Sequence, residues 1–166
     1  MWHSIYRADV SDRRTFALSS VISIIFAIAY AQVELWLDWR KVLQASETLP
    51  DFKGIIAYNW FFTNALFLLV AFSPLIPLLT KGIDKKAIAM GLGNFFLICV
   101  LEDAFYFLLQ GRWITLDDPT AKVMGSIEIG GILIPVWYFA YLLFALYLYS
   151  AAFSDFHAES SGYRYS

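Results

Sequence analysis

Residues 87–109 read AIAMGLGNFFLICVLEDAFYFLL, and the fold turns on how that stretch is read. No Lys or Arg interrupts it, and its only acids are the adjacent Glu102 and Asp103. As an α-helix it reaches about 35 Å, enough to cross a hydrocarbon core of about 30 Å. Residues 17–36, 54–79 and 129–153 meet the same condition. All four are rich in Leu, Phe, Tyr and Trp and lack the apolar/polar alternation of a membrane β-barrel. The expected architecture is an all-α integral membrane protein, a four-transmembrane-helix bundle over residues 17–153 between polar tails at 1–16 and 154–166.

The rest of the composition narrows the function classes. Of 166 residues, 60% are hydrophobic and 16% charged, which does not describe a water-soluble globule. Twelve Lys and Arg against fourteen Asp and Glu give a net charge of −2, so no basic field recruits nucleic acid. A single cysteine, Cys99, excludes an intramolecular disulfide and a thiolate cluster. His3 and His157 both lie in the tails, so an embedded haem or histidine-rich metal site has no ligands. A set drawn from Glu34, Glu102, Asp103 and Glu128 would suit Mg, Mn or Ca rather than a redox metal. We assign no metal on sequence and leave the cofactor open.

Near the N-terminus, Arg13-Arg14 followed by Ala29-Tyr30-Ala31 resembles an export signal with a cleavage site. The apolar run continues through Val33, Leu35, Trp36 and Leu37, so the first span is expected to stay. Arg7, Arg13, Arg14, Lys81, Lys85, Lys86 and Arg164 fall on one side of the bundle; Arg40, Lys41, Lys53, Arg112 and Lys122 fall on the other. Seven against five predicts cytoplasmic termini. Of the connections, 80–86 is a tight basic turn, whereas 37–53 and 110–128 are long. Trp39, Val42 and Leu43 suit an interfacial helical extension, and Asp118-Pro119 suits the start of a short surface helix over 120–124.

Polar residues inside the spans are the candidate chemistry. In the first span Ser19, Ser23, Ala27 and Ala31 form a small-residue stripe, and Glu34 projects into the same stripe near Tyr30. In the third, Ala87, Gly91, Asn94, Ile98 and Glu102 share an arc of about 80°, so Glu102 points at protein, about 10 Å from the end of its span. Such a carboxylate is protonated, paired or in a wet cavity. Asp103 lies about 100° further round and cannot share that narrow face. The second span offers Asn59, Thr63 and Asn64 at comparable depth; the plain reading is helix-joining hydrogen bonds. In the fourth, Glu128, Gly131 and Pro135 share a helical face, with Pro135 freeing the Gly131 carbonyl and kinking the helix. Arg112, just past the third span, is either an interfacial anchor or a partner for a carboxylate, phosphate or headgroup. These residues gather toward one end of the bundle, where Tyr106 and Tyr138 add hydroxyls.

Residues 101–110, LEDAFYFLLQ, resemble the acidic-pair-plus-aromatics helix of the small membrane carotenoid (lycopene) cyclases. The likeness covers those ten residues, and four spans depart from the three-span units of that family. It implies cyclase or isomerase chemistry, with Glu102 and Asp103 as the catalytic carboxylates. Glu34, Asn59, Asn64, Tyr106, Arg112, Glu128 and Tyr138 are the expected ligand-binding set. Two functions follow: acid–base chemistry on, or binding of, a hydrophobic lipid- or isoprenoid-like molecule; or a non-catalytic subunit that meets a membrane-protein partner or a second copy of itself. No nucleophile–base pair or phosphate-binding glycine loop is present.

Overall fold

The computed structural model describes residues 10–37, 52–80, 82 and 84–153. Helix α1 is Val10–Leu37; α2, Phe52–Phe72, passes through a 3-10 turn, Ser73–Leu75, into the one-turn helix α3, Ile76–Leu79. The second span is therefore interrupted rather than continuous, because Pro74 and Pro77 each remove a backbone donor and admit only the start of a new helical turn. Next come α4, Lys85–Leu109, the short α5, Pro119–Met124, the strands β1, Ser126–Ile129, and β2, Ile132–Pro135, and α6, Val136–Phe153. Among the described residues, four helices are long and apolar enough to cross a membrane. The Trp39, Val42 and Leu43 extension, residues 1–9 and the 154–166 tail lie outside the described residues, whereas residues 10–16 of the expected N-terminal tail are the first turns of α1.

The last helix begins later than the sequence suggests. Residues 129–135 are not the first turns of a span, and Pro135 does not kink a helix. Gly130 and Gly131 both take positive φ, 61° and 82°, forming a two-residue hairpin turn that pairs Ile129 with Ile132 and Glu128 with Leu133. Pro135 instead closes β2 immediately before α6.

Helix α4 is central and packs against α1, α2 and α6. Asp84 starts it by accepting from the Lys86 and Ala87 amides at 2.8 and 3.4 Å. Gly111, with φ of 70°, ends it while the Arg112 amide reaches back to the Phe107 carbonyl at 3.3 Å. Two glycines let its neighbours close in. A Cβ on Gly91 would lie 2.5 Å from the Phe72 ring of α2, and one on Gly93 would lie 2.7 Å from the Tyr149 ring of α6. The α1 stripe of Ser19, Ser23, Ala27 and Ala31 is wholly buried.

The core forms three layers along the bundle. One groups Phe16, Leu75, Ala87, Met90 and Ala152. The middle holds Ala27, Phe67, Ala71 and Ile98. The third joins Val100 and Phe107 of α4 with Ile114, Ala121 of α5 and Tyr138 of α6. That last layer seats residues 110–135 as a cap on one end of the bundle. Outward-facing Leu18, Ile25, Phe61, Leu69, Leu143 and Leu146 give the helices a lipid-compatible exterior.

Candidate functional site

Glu102 leaves α4 toward α1, buried at 9% exposure. Its carboxyl is hydrogen-bonded to that of Glu34, which α1 carries near its C-terminal end. Two carboxyl groups form such a bond only when one of them carries a proton. Glu102 Oε1 and Ser23 Oγ are buried, and neither has another hydrogen-bond partner among the described residues. Tyr30, Cys99 and Tyr138 lie within electrostatic range of Glu102. Tyr30 meets Thr63 at 3.2 Å across to α2, fixing the helix that presents Glu34.

Asp103 turns the other way, as a step of about 100° per residue requires. It accepts from the Tyr138 hydroxyl of α6 at 2.7 Å and from Thr120 Oγ1 of α5 at 3.1 and 3.2 Å. The acidic pair thus faces two different partners: Glu102 the bundle interior, Asp103 the latch between the cap and α6. Thr120 has no signal in the sequence beyond its place in the expected surface helix.

The cap is held by its own ion pair. Arg112 donates from Nη1 and Nη2 to Asp118 at 2.7 and 2.9 Å, donates from Nε to Gln110, and lies 4.8 Å from the centroid of Phe107. Asp118 precedes α5, yet its carboxylate makes no side-chain cap to that helix. It turns back to accept from Arg112 and from the Thr115 amide and hydroxyl, each 2.9 Å from Oδ2. The Arg112 hydrogen bonds, helped by Thr115, hold the Asp118 carboxyl well below the usual carboxylate range, and the same pairing raises Arg112.

The remaining sequence-selected residues scatter. Asn64 donates to the Trp60 carbonyl of its own helix at 2.8 Å. Tyr106 packs against the cap layer, its ring 5.3 Å from that of Phe107. Glu128 is exposed on β1 rather than inside the bundle, because residues 126–135 form a hairpin and not a helical face. The side chain of Asn59 lies outside the described residues. Among the described residues no group of three His, Cys, Asp or Glu side chains is placed to hold a metal ion.

A second buried polar centre sits nearer the other end. Asn94, fully buried, accepts on Oδ1 from Ser20 Oγ and Tyr149 OH, each at 3.0 Å, and donates from Nδ2 to Ser19 Oγ at 3.0 Å. Ser19 in turn donates to the Phe16 carbonyl at 2.7 Å. The sequence placed Asn94 on the packing face but gave no sign that α1, α4 and α6 meet there.

No protein family, curated protein or solved structure matches the chain. The likeness to cyclases therefore remains one of ten residues, nine of them on α4.

Proposed function

We propose that the Glu34–Glu102 pair is an intramembrane acid–base site for a hydrophobic, lipid- or isoprenoid-like molecule. The observation that carries this reading is Glu102 Oε1, a buried oxygen that no donor among the described residues reaches, on a carboxyl that meets that of Glu34. A buried polar atom left unsatisfied costs about 1–3 kcal/mol, a cost that a ligand donor relieves on binding. The preferred ligand thus carries a hydroxyl or amine on an apolar body. In a reaction, the shared proton passes to the substrate and a proton is taken back from it. The pair ends as it began, so isomerisation or cyclisation needs no oxidant and no second substrate. Glu102 is the catalytic residue of this scheme and Glu34 its proton partner; Asp103 is a positioning residue that acts through Tyr138.

The test is native mass spectrometry of the protein extracted gently from its own membrane. A stoichiometric lipid-like adduct that is lost in Glu102→Gln, while the bundle stays folded, is the expected result. An adduct unchanged in that variant would overturn the reading.

A second reading, a subunit of a membrane complex, draws support from the shallow apolar groove that Ala140, Leu143, Phe144 and Tyr147 form on the outer side of α6. The same spectra separate the two, since this reading requires a reproducible protein partner or a second copy that Glu102→Gln leaves in place.

A further inference from the structure

The hairpin of residues 126–135 is built with its polarity reversed for a water-facing element. Cross-strand partners share a face, so Ile127, Ile129, Ile132 and Ile134 line one side, and Ser126, Glu128, Leu133 and Pro135 line the other. On the second side the β2 residues turn toward the protein, Pro135 buried and Leu133 packed into the cap layer, while Glu128 of β1 is exposed; the Leu133 carbonyl, at the edge of β2, accepts from Trp113 Nε1 at 2.6 Å. On the isoleucine side only Ile134, nearest α6, joins that layer. Ile127, Ile129 and Ile132 are 47%, 52% and 52% exposed. An antiparallel pair with one face on protein and one in water shows the opposite pattern, apolar inward and polar outward.

The surroundings identify the medium. β2 runs directly into α6, a helix apolar enough to cross a membrane, on which Val136, Phe139 and Leu143 are exposed at helical spacing. The 18 residues of α6 rise about 27 Å, no longer than a hydrocarbon core of about 30 Å, which puts Val136 at its boundary. A two-stranded hairpin also has unpaired backbone groups on its outer edges, and these exclude deep immersion in hydrocarbon. We propose that the isoleucine face is seated in the bilayer at the level where acyl chains meet headgroups, anchoring the cap to the membrane surface. Exposed Glu128, on the other face, stays in contact with water.

The experiment uses the full chain in phosphatidylcholine/phosphatidylglycerol vesicles, with Cys99→Ala and a single nitroxide on Ile127→Cys, Glu128→Cys or Ile129→Cys. Power-saturation spectroscopy then reads collision with oxygen, which enters lipid, and with a nickel chelate, which stays in water. The expected result is an oxygen-to-nickel ratio several-fold higher at 127 and 129 than at 128. Equal nickel access at all three would place the hairpin in water and overturn the proposal. Shielding of 127 and 129 from both reagents would overturn it too, by showing that protein covers this face.

Discussion

Among the described residues, Asn94 and Glu102 each form a buried polar centre in the bundle, and the two differ in how far their polar atoms are paired. Around Asn94 the carbonyl oxygen accepts two hydroxyls and the amide donates to a third, so the group joins α1, α4 and α6 with its main valences met. Glu102 meets the Glu34 carboxyl, and no donor among the described residues reaches its buried Oε1. A satisfied buried polar group rigidifies a core, whereas an unsatisfied one carries a standing cost. The difference separates a joint from a candidate: Asn94 ties three helices together, and Glu102 is the residue on which the proposed function rests.

The comparison breaks first at Asn94. Asn94→Leu leaves Ser19, Ser20 and Tyr149 without their shared partner and is expected to lose about 3 kcal/mol of stability, read by denaturant titration in detergent micelles. Should that variant unfold at the wild-type midpoint, Asn94 is not a joint. Gly93→Ala comes next, at about 2 kcal/mol, because its Cβ would meet the Tyr149 ring at 2.7 Å and that ring is tied by its hydroxyl to Asn94. The two losses are expected to be less than additive in a double-mutant cycle, since both act through Tyr149.

A smaller effect is expected in the cap. Asp118→Asn removes the ion pair with Arg112, whose side chain is 30% exposed and partly screened, for a loss of about 1 kcal/mol. Hydrogen exchange of amides 112–124 is the measurement, and it should quicken there while α4 is unchanged. The pH dependence has a fixed sign. A carboxyl held below its unfolded value of about 3.9 stabilises fully above that value and loses its contribution as pH falls through the folded one. The cap should therefore be insensitive between about pH 5 and 8 and loosen only in stronger acid. Loosening near pH 6 would show that another group holds it.

Least of all should Glu102→Gln disturb the fold. The amide keeps the shape and still reaches Glu34, so the midpoint should move by less than about 0.5 kcal/mol while ligand binding is lost. A variant that unfolds as readily as Asn94→Leu would make Glu102 a joint as well and erase the contrast.

Much of this was legible from residue order. Spans follow from unbroken apolar length, because backbone in hydrocarbon must satisfy itself as helix. That Glu102 faces protein and Asp103 faces elsewhere follows from helical rotation alone, and the short helix after Asp118-Pro119 follows from the fixed proline φ. The turn at Gly130-Gly131 was misread, since a short apolar run such as Ile132–Ile134 begins a strand or a helix with equal ease and only cross-strand pairing decides. That misreading also carried Glu128 into the bundle. Local order offered Arg112 as an interfacial anchor or a partner for some carboxylate and Asp118 as a helix cap, but it did not single out Asp118 as that carboxylate. Periodicity determines which way a side chain leaves its own helix. Which side chain it meets depends on the neighbour brought alongside, and for Glu34 with Glu102, Thr120 with Asp103, and Tyr149 with Asn94 that partner lies on another element and was chosen by packing.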